Sequence, residues 1–282
     1  MSHPFSRTEL LIGAEGLKKL KNSTVAIFGI GGVGSFAAEA LARSGVYTLI
    51  LIDDDHICLT NINRQVHALH STVGKPKVEV MKARILDINP KATVITYKEF
   101  YDSENAEKLL YNDYDYVVDA IDTVDSKLDL IERCKKYGIP IISSMGMGNK
   151  LDPTKLEVSD IYDTSVCSLA KVMRRQLRKR GIKDLKVVYS KDAPGTVPVA
   201  FSSEDAPGSA LGTVPAAFPD APGTVLTASS KECGEKNVSK EGETCEIKHR
   251  ILGSVPFVPS VAGLIMASEV VYDLIHADTS AL

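Results

Sequence analysis

No two cysteines in this 282-residue chain stand at C-x-x-C spacing; the five fall at 58, 134, 167, 233 and 245. That absence argues against a structural zinc site and a disulfide framework, and it suits a reducing cytosol, the expected compartment. Excess positive charge is missing as well. A formal net charge of -3 gives no global attraction to nucleic acid, so a polyanion would need a local patch. The opening residues, MSHPFSRTELL, lack the basic and apolar regions of a secretory leader. Nor is there a clean membrane span. Ile251 to Ala267 carries no charge, but Pro256 and Pro259 interrupt it and Glu269 follows, so a core or interface helix is expected rather than membrane insertion. With 24% charged residues and a mean hydropathy of -0.01, the composition is that of a globular protein long enough to bury a sizeable core.

The most informative stretch runs from Val25 to Asp55. Val25 to Phe28 is a short apolar run typical of a buried parallel strand, and glycines at 29, 31, 32 and 34 then spell G-x-G-G-x-G. Phe36, Ala37, Ala40 and Leu41 follow at helical spacing until Gly45. A second apolar run, Thr48 to Ile52, ends in Asp53 and Asp55. Strand, glycine turn, helix, strand and acid form a nucleotide-binding βαβ unit. Gly29, Gly31, Gly32 and Gly34 let the backbone approach a polyphosphate, whose charge rests on the open N–H groups of a helix start. Asp53 is placed to accept hydrogen bonds from a ribose.

Along the rest of the chain, Phe5 to Leu20 reads as an amphipathic helix with Leu10, Leu11, Leu17 and Leu20 available for packing. Helices are expected at 75–88, 103–110 and 126–137, and strands at 92–97, 116–120 and 139–144. This alternation predicts an α/β fold, a doubly wound, mainly parallel Rossmann-like sheet. A basic segment follows, with nine Lys or Arg residues and one acid between Lys171 and Lys191. Arg174, Arg175, Arg178 and Lys179 would sit together on a helix, as a solvated face or as a nucleic-acid patch. From 192 to about 246, DAPG recurs at 192, 205 and 220 with too few large apolar groups for a core. The organisation expected is therefore a nucleotide-binding domain over 1–191, a flexible Pro/Gly-rich insertion over 192–246, and a C-terminal helical extension over 247–282.

Three features specify the nucleotide. TNINRQ sets Asn61, Arg64 and Gln65 just past the ribose position, and GKPKVE sets Lys77 at a helix start. A guanidinium fork and an ammonium suit a triphosphate, and a nicotinamide dinucleotide has no need of both. Asp119 and Asp122 close the fourth strand, where a hard divalent cation bridging phosphates would find carboxylates. Mg2+ and ATP are the expected cofactors.

In this order and spacing, GIGGVG, LIDDD, TNINRQ, VGKPKVE and VVDAID resemble the ubiquitin-activating-enzyme-like superfamily, which includes sulfur-carrier adenylyltransferases. The resemblance implies adenylation of a carboxylate by ATP. It implies an ATP site of Gly32, Asp53, Asn61, Arg64, Lys77 and Asp122, with Arg64, Lys77 and Asp122 as catalytic residues and Asp122 on the metal. It further implies a homodimer in which Arg7 reaches the ATP of the other subunit. Within the superfamily, EALARSGV, NRQVHAL, the run from Ser143 to Ile182 and GSVPFVPSVAGLIMASEVV are similar to the tRNA threonylcarbamoyladenosine dehydratases. That similarity implies adenylation of a threonyl carboxylate on tRNA, ring closure by the neighbouring ureido group, and Arg174, Arg175, Arg178 and Lys179 as tRNA contacts. The alternative is activation of the C-terminal carboxylate of a ubiquitin-like sulfur carrier. Cys167, Cys233 or Cys245 would then be a thiol stage, and a sulfur-transfer or recycling protein a further partner.

Overall fold

The computed structural model describes residues 3–192 and 252–277. The expected insertion at 192–246 lies outside these residues apart from Asp192, as do Cys233 and Cys245.

The order of elements is α1 (Ser6–Asn22), β1 (Thr24–Phe28), α2 (Gly34–Ser44), β2 (Thr48–Ile52), α3 (Lys77–Ile88), β3 (Thr93–Tyr97), α4 (Ala106–Leu109), β4 (Tyr116–Asp119), α5 (Val124–Tyr137), β5 (Ile141–Ser144), β6 (Leu156–Asp160), α6 (Ser168–Lys179), β7 (Lys186–Ser190) and α7 (Phe257–His276). The strands form one sheet in the order β3-β2-β1-β4-β5-β7-β6. All neighbours pair in parallel except β6 and β7, which are antiparallel. The strand order reverses between β1 and β4, so a crevice opens at their carboxyl ends, where such sheets bind ligands.

Alternation along β1 divides the core. Val25 and Ile27 pack with α2, α3 and α7 on one face, and Ala26 and Phe28 pack with α5 and α6 on the other. Both faces are covered, so the central strands read as unbroken apolar runs.

Two expectations need correction. Leu10 and Leu11 do not pack against the described residues; they are 86% and 88% exposed, whereas Leu17 and Leu20 are buried. Gly13, at φ 74 and ψ 169, breaks α1 between them, so the first turns diverge from the face that meets the core. The sheet also extends past the expected strands, with β6 and β7 as an antiparallel edge. By contrast, α7 lies on α2 with one face buried, through Val258, Ala262, Met266 and Val270. By length and composition it could cross a membrane, but it serves here as a core helix.

Candidate active site

The glycine turn leaves β1 at the mouth of the crevice. A Cβ on Gly34 would lie 1.8 Å from the Gly29 carbonyl oxygen, and one on Gly29 (φ +88) would lie 2.6 Å from that of Ala120. Only glycine permits this closure of the turn onto β4. The N–H groups of 31–33 precede the first turn of α2, which opens with the Ser35 N–H donating to the Gly31 carbonyl at 3.1 Å. They therefore present the positive end of that helix. A Cβ at Gly31 would meet nothing within 4 Å, so the space above it is open to a ligand.

Ile30, inside the turn, is clamped from both sides. Its N–H donates to Asp53 Oδ2 at 2.6 Å, and its carbonyl lies 2.9 Å from His67 Nε2. A carbonyl can only accept, so Nε2 carries the proton and the other ring nitrogen is bare. His67 is 1% exposed, and that Nδ1 has no partner among the described residues. Burial pushes its pKa down to about 4, so the ring stays neutral. His67 falls within NRQVHAL, but no spacing in the sequence marks it as a site residue. Its role depends on a contact 37 positions away along the chain.

Asp53 also accepts the Asp55 N–H at 2.9 Å, so its two oxygens brace the loop from either side. Burial raises the Asp53 carboxyl above its ordinary value, with Lys77 opposing. Lys77, 5% exposed at the start of α3, donates to Asp55 Oδ2 at 2.6 Å and lies 3.6 Å from Asp53 Oδ1. Burial would lower its pKa, but the charges of Asp53 and Asp55, with Asp122 contributing, hold the ammonium above the ordinary lysine value. Its three donors leave capacity for a further oxygen. Arg64 anchors Nη1 on the Thr60 carbonyl at 2.7 Å and Asn63 Oδ1 at 3.0 Å, which leaves the rest of its fork for a ligand. The Asn61 carboxamide oxygen accepts the Cys58 N–H at 3.0 Å and closes the turn over 59–61. Gln65 is buried, and its Oε1 has no partner among the described residues. Arg7 is exposed in the first turn of α1.

The metal expectation divides. Asp119 does not face the crevice. It is fully buried, accepts from Lys127 at 2.7 Å and from Ser143 at 2.6 Å, and is consumed by that network. Asp122 is exposed, and its carboxylate accepts a long bond of 3.4 Å from Thr123 Oγ1. Of the acids ending β4, Asp122 alone retains the free oxygens that suit a hard cation shared with phosphates. Among the described cysteines, Cys134 and Cys167 are buried, and burial pushes the Cys134 thiol well above its usual range.

The basic helix extends away from this crevice. Cys167, at its start, lies near Gly146, just past the carboxyl end of β5. Its far end meets the last turns of α5, where Arg180 pairs with Glu132 at 3.3 Å, at the opposite, amino edge of the sheet. Arg174 is bound to the Thr164 carbonyl at 2.9 Å, and Arg178 lies 5.0 Å from the Tyr162 ring centre. Arg175 and Lys179 are exposed.

The chain as a whole has relatives among known proteins. The ThiF family model matches residues 5–281. The chain belongs to the ThiF family. The chain is 46% identical over 280 residues to the tRNA threonylcarbamoyladenosine dehydratase of Bacillus subtilis, covering 98% of this chain and 96% of that protein. It is 38% identical to the Escherichia coli protein of the same name, over 83% and 82% of the two chains. The crystal structure of that E. coli dehydratase, TcdA, in complex with ATP superposes with a TM-score of 0.74 at 30% identity, covering 96% of this chain and 93% of that one.

Proposed function

We propose that this chain is an ATP-dependent tRNA threonylcarbamoyladenosine dehydratase that works through an acyl-adenylate. The observation that carries the reading is near-full-length identity of 46% to a dehydratase, in a chain whose glycine turn lies beside Asp53, Lys77 and the Arg64 backbone. The catalytic unit is taken as residues 1–191 with 247–282, which the packing of α7 on α2 supports.

A carboxylate is a poor electrophile, and its conversion to a mixed anhydride with AMP supplies a leaving group. In the first step the threonyl carboxylate oxygen attacks the α-phosphorus and diphosphate departs. The N–H groups at 31–33 hold phosphate oxygens, while Arg64 and Lys77 offset the charge that gathers on the α-phosphate and the departing diphosphate. In the second step the ureido nitrogen attacks the acyl carbon. It loses its proton and AMP leaves, for a net loss of one water from the nucleoside. Because this attack is intramolecular, positioning supplies much of the rate. No protein nucleophile is required. Asp122 would hold Mg2+ against the phosphates, where the ion supplies charge neutralisation. Even with Lys77 and Arg64 both counted, the carboxyl groups of Asp53, Asp55 and Asp122 outnumber the cations, which favours a cation arriving with the polyphosphate. Arg7 would act from a second subunit, and Arg174, Arg175, Arg178 and Lys179 would meet the tRNA.

The test is to incubate the protein with ATP and threonylcarbamoyladenosine-bearing tRNA, then measure nucleoside mass. Loss of one water with stoichiometric AMP is expected. Pyrophosphate exchange driven only by a carrier protein would instead establish the sulfur-carrier alternative.

A further inference from the structure

We propose that the cleft between Tyr162, Arg178, Gly181, Ile182 and Lys183 is a backbone-phosphate subsite for a helical part of the RNA, remote from the crevice where the reaction runs. The inference rests on the tRNA reading above and identifies where a distant part of that RNA is held.

The cleft has a volume of about 380 Å³. Its centre is pre-organised. The Arg178 guanidinium lies 5.0 Å from the Tyr162 ring centre, a cation–π arrangement that orients the fork without using its N–H donors. Tyr162 is itself fixed, because its hydroxyl donates to the Ile182 carbonyl and its N–H to Asp160. Gly181, at φ +71, forms an open lip where a Cβ would meet nothing within 4 Å, so a ligand can approach the backbone closely.

Charge accounting favours an anion. Asp160 accepts the N–H groups of Tyr162 and Leu185 at 2.8 and 2.9 Å, Asp184 pairs with Lys135, and Glu132 pairs with Arg180. Asp184 and Glu132 are thus paired with cations and Asp160 with two backbone N–H groups. Asp163 is exposed and forms no ion pair among the described residues, so the three cations that follow outnumber Asp160 and Asp163. Arg178, Lys179 and Lys183 have no carboxylate partner among the described residues, and all three are exposed.

Position decides which anion. The twelve residues of α6 make it about 18 Å long, and it carries Lys171, Arg175 and Lys179, all exposed, at four-residue spacing along one face. This stripe joins the carboxyl edge of the sheet to the cleft at the amino edge. An RNA with its reacting nucleotide in the crevice would follow the stripe and reach the cleft with a segment many ångströms away. If that segment is helical, its bases are stacked inside, and it offers phosphates and sugars to protein. A phosphate on Arg178 and Lys183 therefore fits better than a base stacked on Tyr162.

The experiment compares wild type with Lys183→Gln, Arg178→Gln and the double variant. Substrates are modified tRNA and fragments bearing the same adenosine with progressively shorter flanking helices. For intact tRNA, the double variant should raise KM about tenfold with kcat unchanged. Its log–log salt dependence should become shallower by about one for each phosphate that is no longer held. The penalty should vanish on fragments too short to reach the cleft. An unchanged KM on intact tRNA, or an equal penalty on the shortest fragment, overturns the subsite. Lys183→Gln alters only an exposed loop residue, so its result stands even if Arg178→Gln perturbs folding. A wild type that dehydrates no RNA overturns the underlying reading instead, and that outcome is visible before any variant is compared.

Discussion

Two buried lysines sit at the carboxyl edge of one sheet and are wired in opposite ways. Lys127 and Asp119 are both fully buried, and their 2.7 Å pair is closed by Ser143 and by the Ile121 N–H. One cation meets one anion, and no donor points to solvent. Lys77 pairs at 2.6 Å with Asp55, whose side chain is 22% exposed, lies close to Asp53 and feels the charge of Asp122. There the charges are unequal and the lip is open. A balanced, sealed pair holds a fold together, whereas an unbalanced, open one is completed by a ligand. In the sequence Asp119 and Asp122 look interchangeable; their partners separate them.

The sharpest way to break this comparison is to remove each ammonium in turn. Lys77→Ala should lower AMP release by about 10²- to 10³-fold, because a charged donor is then missing where negative charge develops. The fold should persist, because the Asp53 carboxyl is already raised by burial and can take up a proton when the ammonium leaves. Circular dichroism alongside single-turnover AMP release checks both halves, and undiminished release would remove Lys77 from the site. Lys127→Met should do the reverse. It strands the Asp119 carboxylate in the core and should cost about 3–5 kcal/mol of stability in denaturant titration. Adding Asp119→Leu should restore only part of this, since the Ile121 N–H and the Ser143 hydroxyl would then lack an acceptor. Full restoration would mean that the pair is an isolated salt bridge rather than a network.

The same contrast shows how far the sequence could be read. From β1 to β2 the glycine spacing and the change of period specify the elements almost to the residue, because local chemistry allows few alternatives there. The β6–β7 pair was not legible. LEVSD is a half-polar edge strand, and KVVYS lies inside a run of lysines and arginines that reads as a helix and its solvated flank. Which residues border the crevice could be anticipated from TNINRQ and GKPKVE. Which atoms they bond could not, since the commitment of Asp53 to the Ile30 N–H exists only once the turn has closed.

His67 tests the other side of that clamp. Its folded pKa of about 4 lies below the 6.5 of an unperturbed histidine. Below pH 6.5 the unfolded chain takes up a proton that the native state refuses, so stability is present above 6.5 and lost as pH falls toward 4. The loss is of order 3 kcal/mol. His67→Gln keeps a donor for the Ile30 carbonyl and cannot titrate. Wild type should therefore lose stability relative to this variant across that window. A difference that stays flat with pH would show that the ring is not held neutral by burial.

The smallest effect should come from the basic helix, where the same rule sorts arginines. Arg174 is tied to Thr164, and Arg178 rests on Tyr162, so reversing either charge disturbs packing as well as binding. Arg175 is exposed and forms no ion pair among the described residues. Arg175→Glu should leave the melting temperature and the KM for ATP unchanged and weaken tRNA binding by roughly five- to tenfold at low salt, with a shallower salt slope. Arg174→Glu should weaken binding to a similar degree but also lower the melting temperature. If the two variants behave alike in both measurements, intramolecular bonding does not distinguish scaffold from RNA-binding arginines on this helix. If only Arg174→Glu affects tRNA, the exposed stripe does not carry the RNA, and the basic run is a solvated face.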